Sequence, residues 1–264
     1  MSSVEIIQQE WRMKLDYSRY YRRYHDESDA HFHAERGSSA ARLTPLLPTE
    51  RSARILEIGC GMGFALAALR QLGYCDVEGI DADEGQVAAA RRRDLPALHV
   101  AAEACGDFLA TRSGRYDAVV CIDVLEHVPV GSQLEFLGGI LTALRPGGRL
   151  ICQVPNANAG VASRYRYHDW THHCSFTEAS LDFVLHNAGF REVTVAEADA
   201  PQRPRYPFIP RRSVARWALR AGFRAIRRLE YGLELGPAEA ASIPLTPNIV
   251  AVAIRPCEQP SRKE

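Results

Sequence analysis

Three glycines at alternate positions, with a carboxylate further along, form the clearest chemical pattern in the chain. Gly59, Gly61 and Gly63 follow the apolar run 53–58, which predicts a short buried strand, and the residues after Gly63 predict a helix. A glycine turn between strand and helix lets a ligand approach the backbone closely, because no Cβ stands in the way. Asp81 ends a second predicted strand, where a carboxylate can accept both hydroxyls of a nucleotide's ribose. Asp81 could instead cap the next predicted helix, at 84–93, at its N-terminus.

A second group of ionisable residues follows another apolar run. Residues 118–122 predict a central buried strand, and Asp123, Glu126 and His127 come directly after it. Ligands of open α/β sheets bind beyond the carboxyl ends of the strands, so these three side chains should face the cleft. For His127 two interpretations remain open, a contact with the substrate and a bond to nearby backbone at the start of a helix.

The third group lies in a histidine-rich loop after the fifth predicted strand, which is expected at 150–154 after a turn at Pro-Gly-Gly. A neutral imidazole can accept a proton near neutral pH, so His172 is the first candidate for a general base, supported by Asp169. His127 is the second candidate. His168, His172, His173 and Cys174 could also be interpreted as a metal cluster. Zinc usually takes its ligands from spaced pairs on separate elements, so we expect no metal here.

Taken together, these motifs resemble the class I S-adenosyl-L-methionine (SAM)-dependent methyltransferases. The run Glu57 to Gly63 has the form E-x-G-x-G-x-G, and Asp81, the stretch 123–127 and the sequence Leu-Arg-Pro-Gly-Gly follow in the order of that family. The stretch after the fourth strand looks like the subgroup that includes the ubiquinone-biosynthesis enzymes. Residues 169–177 are similar to a subgroup common in cell-surface polysaccharide and natural-product biosynthesis. The resemblance covers about 52–199 and the last strand.

The resemblance implies a Rossmann-like, doubly wound α/β sheet of seven strands with an antiparallel last strand. It implies SAM as cofactor, S-adenosyl-L-homocysteine as product, and a small-molecule or glycan methyl acceptor that offers a hydroxyl. Glu57 and the glycines would hold the methionine part, Asp81 the ribose, and Glu103 would border the adenine. The expected cofactor-binding residues are Glu57, Gly59, Gly61, Gly63, Asp81, Ala82, Glu103 and Asp123.

Composition narrows the function classes. The formal net charge is zero, so no overall field favours nucleic acid or a membrane. Seven scattered cysteines without a C-x-x-C pair, and an N-terminus without the apolar core of a signal peptide, indicate a cytoplasmic protein. The sequence after strand four lacks the Asn/Asp-Pro-Pro-Tyr of amino-methylating nucleic-acid enzymes, so we expect no nucleic-acid partner. A non-catalytic SAM-binding or partner-binding module, and a quinone or phenolic acceptor, remain alternatives. The sequence does not indicate the oligomeric state.

The chain divides into five predicted segments: an N-terminal helical lid at 1–50, the SAM-binding core at 51–200, a Pro/Arg-rich helical insertion at 201–247, the last core strand at 248–256 and a disordered tail at 257–264. Within the insertion, residues 213–235 predict an amphipathic helix. One stripe holds Arg212, Arg216, Arg220, Arg224 and Arg227, and the other holds Val214, Ala218, Ala221, Ala225 and Leu229. Such a helix could contact the inner face of a membrane peripherally, bind a partner, or pack on the domain as a second lid.

Overall fold

The computed structural model describes residues 26–198 and 211–257, and these form one seven-stranded sheet with helices on both faces. The strands are β1 (Ile55–Ile58), β2 (Val77–Asp81), β3 (Ala97–His99), β4 (Tyr116–Ile122), β5 (Leu144–Pro155), β6 (Arg191–Glu197) and β7 (Asn248–Ile254). Their order in the sheet is β3-β2-β1-β4-β5-β7-β6. The first five run parallel, and β7 is antiparallel to both β5 and β6. The predicted fold class is confirmed.

The helices, in chain order, are α1 (Asp29–Leu43), α2 (Phe64–Gln71), α3 (Glu84–Arg91), α4 (Cys105–Ala110), α5 (Gln133–Ala143), α6 (Ala162–His168), α7 (Glu178–Asn187), α8 (Arg211–Leu235) and α9 (Pro237–Ser242). Local sequence signals fix several ends. The Thr177 side chain accepts from the Ser180 backbone N–H and so caps the start of α7. Gly189 takes a φ of 104° just after the end of that helix.

The core explains why the central strands are apolar runs. All four residues of β1 are buried, as are 118–121 of β4, because helices cover both faces of the parallel strands. A cluster of buried side chains on one face includes Leu56, Leu137 and Phe190. A second cluster on the other face includes Ile55 and Leu69. The carboxyl ends of β1, β2 and β4 are therefore held rigidly side by side.

Two boundaries differ from the sequence prediction. The fifth strand was expected at 150–154 but occupies Leu144–Pro155, and the predicted Pro-Gly-Gly turn lies within it. The Arg255 backbone pairs with Gly147 and Gly148, so β7 and its extension recruit these residues into the sheet. Helix α3 ends at Arg91 rather than at Arg93, because a tight turn follows it.

The segments outside the core are described in part. Helix α1 packs on α2, where the Phe32 and Phe64 ring centroids lie 5.3 Å apart. The rest of the predicted lid, at 1–25, and the predicted tail at 258–264 lie outside the described residues. The insertion contributes α8 and α9 between β6 and β7. Over the described residues, no helix is both long and apolar enough to cross a bilayer.

Candidate active site

The glycine turn forms a cradle at the carboxyl end of β1. Gly59, Gly61 and Gly63 have φ values of 74°, 51° and 87°, a backbone region that side chains rarely allow. A Cβ on Gly59 would collide with Val124, and one on Gly63 would collide with Leu95. Backbone bonds from Gly59 to Ile80 and from Gly63 to Cys60, both 2.8 Å, fix the turn. The glycines therefore leave space that side chains would fill.

Asp81 joins this turn to the end of β2. Its Oδ2 accepts from the Gly61 backbone N–H at 2.7 Å, and its Oδ1 accepts from the Asp83 N–H at 2.8 Å. Burial raises the pKa of Asp81, while the two backbone bonds oppose that rise. The helix cap is Asp83, whose carboxylate accepts from the Gln86 N–H at 2.9 Å. Asp81 is thus left at the cleft, where the ribose was expected.

Glu57 lies beneath the cradle rather than at its rim. The side chain is buried in β1, and burial, followed by the nearby Asp81 charge, raises its pKa well above the ordinary value. A backbone hydrogen bond with Leu66, in the first turn of α2, works against this rise. Within the described part of the chain, Oε2 has no hydrogen-bond partner. This geometry lets Glu57 hold the start of α2 against β1.

The other expected cofactor residues lie around the same edge. Ala82 and Glu103 are exposed, and the Ala82 carbonyl lies 3.1 Å from His99 Nε2. Asp123 is exposed and has a φ of 54°, which is uncommon for a residue with a side chain. Its Oδ1 accepts from Gln153 Nε2 at 3.1 Å. The structure thus places all three at the surface near the ends of β2, β3 and β4.

Beyond the carboxyl end of β4, the Asp169 carboxylate orients His127 through the Thr171 hydroxyl. The Thr171 hydroxyl donates to Asp169 Oδ1 at 2.6 Å, so its oxygen is free to accept from His127 Nδ1 at 2.8 Å. This arrangement keeps the proton on Nδ1 and leaves Nε2 as the basic nitrogen. Burial, followed by the charge of a neighbouring histidine, lowers the His127 pKa from 6.5 to about 4. His127 is therefore neutral at pH 7.

His172 is held differently from the sequence prediction. Its Nδ1 lies 2.8 Å from the Tyr165 carbonyl, and its Nε2 lies 4.0 Å from Asp169 Oδ2, too far for a hydrogen bond. The sequence suggested that Asp169 would favour protonated His172. Instead, burial outweighs the carboxylate and lowers the His172 pKa. The rings of His127 and His172 are in edge contact, with centroids 4.6 Å apart.

Glu126 was expected from the sequence to face the cleft beside Asp123 and His127, and it was given no catalytic or cofactor-binding role. It is fully buried, and over the described residues neither carboxylate oxygen has a hydrogen-bond partner. Burial raises its pKa well above the ordinary value, with the Asp123 charge as the next cause. One potential ligand atom from each of Glu126, His127 and His172 lies within 4.8 Å of the others. A carboxylate and two imidazoles could bind a transition metal or share a proton.

The remaining residues of the histidine-rich loop have separate contacts. His168 Nδ1 lies 2.9 Å from the Arg164 carbonyl, and Gln133 Nε2 donates to Cys174 Sγ at 3.2 Å. The His173 side chain is exposed, while its backbone N–H donates to the Glu126 carbonyl at 2.8 Å. This last bond ties the loop to the end of β4 and brings His172 beside His127.

Comparison with known proteins agrees with this architecture. The model of a methyltransferase domain family matches residues 31–195. A ubiquinone biosynthesis O-methyltransferase from Ruegeria pomeroyi is 32% identical over 169 residues, which cover 56% of this chain and 64% of that protein. One from Xanthomonas axonopodis pv. citri is 32% identical over 120 residues, covering 44% and 47%. The chain spans about half the length of the first such relatives.

Solved structures show the same fold. A SAM-dependent methyltransferase from Archaeoglobus fulgidus superposes with a TM-score of 0.59 at 19% identity, covering 83% of this chain and 94% of that one. Phosphoethanolamine N-methyltransferase 2 of Haemonchus contortus, in complex with SAM, gives 0.54 at 14% identity, covering 92% and 60%. At these identities the likeness concerns the fold. With the family model matching most of the chain and the glycine cradle in place, the protein belongs to the class I SAM-dependent methyltransferases.

Proposed function

We propose that this chain transfers a methyl group to a hydroxyl of a small molecule or glycan. The observation that carries the proposal is the pair of neutral imidazoles, His127 and His172, beside the ligand edge of the sheet. A hydroxyl must lose its proton as its oxygen attacks, so such an acceptor needs a base at this place. When bound, SAM supplies a methyl group that its sulfonium already makes electrophilic.

On the cofactor side, the chain's task is binding and orientation. We propose that the cradle of Gly59, Gly61 and Gly63 accommodates the methionine part and that Asp81 accepts the ribose hydroxyls. Each Asp81 oxygen already accepts one backbone bond and retains a lone pair for a further donor. Glu57 acts from beneath by holding α2, so we assign it a positioning role. Ala82, Glu103 and Asp123 are proposed to line the nucleoside.

On the acceptor side, the geometry gives preference to His127 as the base, although the sequence placed His172 first. The Thr171 hydroxyl fixes the His127 tautomer and the side chain is only half-buried, so we place its basic Nε2 toward the acceptor. His172 is buried against it. The imidazolium formed on proton transfer would lie near Asp169, whose charge favours protonated His127 and would stabilise it. His172 then packs against and orients His127.

The acceptor should present a ring or another flat apolar surface beside its hydroxyl. Tyr167, near the end of α6, and Trp170, on the loop that carries Asp169 and His172, are 75% and 87% exposed. Exposed aromatic side chains at a cleft commonly stack on sugar or aromatic rings. A quinone precursor or another phenol is the second candidate, favoured by the ubiquinone O-methyltransferase relatives. A phenol needs the base less, because its pKa is lower than that of an alcohol.

The test is single-turnover methyl transfer at saturating SAM, after a screen of glycan, phenolic and aliphatic hydroxyl acceptors. His127→Ala should keep its SAM affinity and lose about 10²–10⁴-fold in rate. His173→Ala, a neighbouring exposed histidine, is the matched control and should stay near wild type. A rate for His127→Ala within threefold of wild type, with His172→Ala strongly impaired, would move the base to His172. SAM binding without transfer to any hydroxyl would favour a non-catalytic module.

The sequence also left open peripheral contact of the insertion helix at 213–235 with the inner face of a membrane, beside binding of a partner or packing on the domain. This contact stays a prediction. The described part of α8 offers an outward apolar face on which such contact could depend. Sedimentation of the protein with vesicles of anionic lipid, reversed by salt, would support it.

A further inference from the structure

Helix α8 presents a row of large apolar side chains to solvent. Leu219, Phe223, Ile226, Leu229 and Leu233 are 64%, 71%, 65%, 64% and 79% exposed. They recur at helical spacing, so they form one continuous stripe along more than three turns. Solvent-exposed apolar patches of this extent on a soluble domain usually mark a binding surface. We call this set the outer stripe.

The opposite side of α8 faces the domain through polar groups. Arg224 Nη2 donates to both carboxylate oxygens of Glu197, at 2.6 and 2.8 Å. Arg228 Nη1 donates to the Ile243 carbonyl at 2.8 Å, and Tyr231 donates to Asn158 Oδ1 at 3.4 Å. The helix is therefore oriented with arginines inward and the outer stripe outward. The alanines that the sequence assigned to the apolar stripe, Ala218, Ala221 and Ala225, are exposed but are not part of the outer stripe.

The outer stripe has the spacing of a helix–helix seam. Leu219, Ile226 and Leu233 follow one another at seven-residue intervals, and Gly222 and Leu229 form a second row with the same interval. This is the a and d pattern by which two helices pack knobs into holes. The glycine in the second row removes side-chain bulk, so a partner helix can come close at that point.

The stripe is also symmetric about Ile226. Leu219 and Leu233 lie seven residues on either side of it, and Phe223 and Leu229 lie three residues on either side. A two-fold axis through Ile226 of two antiparallel helices would therefore pair Leu219 with Leu233 and Phe223 with Leu229 of the other copy. An antiparallel partner copy would place Ile226 against Ile226 on the axis.

Charges along α8 complement one another in the same arrangement. Arg220 and Glu234 are both exposed and lie on opposite sides of Ile226 along the helix, whereas Arg227 pairs with Glu230 of the same helix at 2.9 Å. Antiparallel pairing brings Arg220 of each copy toward Glu234 of the other, whereas parallel pairing would oppose like charges. An anionic membrane fits less well, because Glu230 and Glu234 flank the stripe and Arg224 and Arg228 point inward.

We propose that the outer stripe of α8 pairs antiparallel with the same stripe of a second copy, giving a two-fold symmetric dimer. Sedimentation velocity of the full chain should give twice the mass of one 29.3 kDa chain. Replacing Ile226 and Leu229 together by glutamate should raise the dimer dissociation constant at least about 100-fold, because charges would enter a desolvated seam. Ala221→Glu adds a charge to the same helix away from the stripe and should leave the dimer intact.

Cross-linking tests the orientation independently. In a background with the exposed Cys75 and Cys257 changed to serine, Ile226→Cys should form an intermolecular disulfide under mild oxidation, because the antiparallel axis brings the two copies of position 226 together. Leu219→Cys should cross-link with Leu233→Cys in a mixture but not with itself. Self-linking at 219 would indicate parallel pairing and overturn the proposal.

Two further outcomes would also overturn it. A wild-type chain that stays monomeric up to high micromolar concentration, with circular dichroism that shows a folded domain, excludes the dimer. A monomer that sediments with phosphatidylglycerol vesicles, and loses this with glutamates at 226 and 229, would assign the outer stripe to a lipid surface. These results do not depend on methyl transfer, so they stand apart from the proposed function.

Discussion

Asp81→Asn changes one oxygen of the proposed ribose ligand and leaves the side-chain volume unchanged. In the wild type, both oxygens accept backbone bonds of 2.7 and 2.8 Å, from Gly61 and Asp83. Asparagine keeps one accepting oxygen and turns an NH2 group toward one of these N–H groups. The substitution therefore removes a charge-assisted acceptor from the ribose and loosens the glycine cradle at the same time.

The expected loss of SAM affinity follows from these contacts. A hydrogen bond to a charged group contributes about 1.5–3 kcal/mol. Such a loss raises the dissociation constant by about 10–150-fold. Burial raises the Asp81 pKa. As the pH is lowered, the wild-type affinity for SAM should therefore begin to fall at a higher pH than it would with an aspartate of ordinary pKa. The asparagine variant should lack this pH dependence.

Isothermal calorimetry with SAM and with S-adenosyl-L-homocysteine measures both effects. Asp83→Asn is the matched control, because that residue caps α3 in the same turn and asparagine is also a good cap. The control should bind within about threefold of wild type. Equal affinities for wild type and Asp81→Asn, with both proteins folded, would refute the assignment of Asp81 to the ribose.

Three other substitutions or treatments test the site. Gly59→Ala should lower the free energy of unfolding, measured in urea, by about 1–3 kcal/mol, because φ at Gly59 is positive and the added Cβ meets Val124. Gly37→Ala is the control: position 37 lies in open space on α1, so this change should not destabilise the protein. Because the folded-state pKa of His127 lies near 4 and its unfolded value near 6.5, wild-type stability should fall by roughly 3 kcal/mol as pH drops through that window, and His127→Phe should lack this loss. Equal slopes of stability against pH for wild type and His127→Phe would contradict this expectation. Finally, a chelator should leave the melting temperature unchanged if Glu126, His127 and His172 share a proton. A fall in melting temperature that a divalent metal reverses would instead show that these three residues bind a metal ion.

Much of the fold could be predicted from local sequence because its signals are local. The apolar runs of β1 and β4 are long enough to mark buried parallel strands, and the last core strand was predicted at 248–256, where the structure has β7 at Asn248–Ile254. The long β5 could not be predicted in the same way. Its residues 145–149 carry turn signals, and they become strand only because β7 extends alongside them. Tertiary pairing overrode propensity there.

The two halves of the site differ in how far sequence reasoning reaches. The glycine cradle and Asp81 are separated by one strand and one helix, so motif spacing locates them. The acceptor side depends on side-chain direction. Asp169 could bond either the imidazole three residues on or a neighbouring hydroxyl, and the structure shows that it bonds Thr171, which in turn orients His127. Spacing alone gives no preference between these partners, and Thr171 carries no sequence signal of its own.

The position of the insertion follows from strand direction and bears on the methyl acceptor. β6 runs in the direction of β5, and β7 returns against both, so the chain leaves β6 at Glu197 and re-enters β7 at Asn248 on the carboxyl edge. Any segment inserted there must lie beside the cleft. Arg224 bonds Glu197 and Tyr231 reaches Asn158, which ties α8 to the ends of β6 and β5. The cradle is built by β1 and β2, farther along the sheet, so α8 borders the side where we place the acceptor. Variation in this helix can therefore alter acceptor selection while the cofactor cradle stays the same.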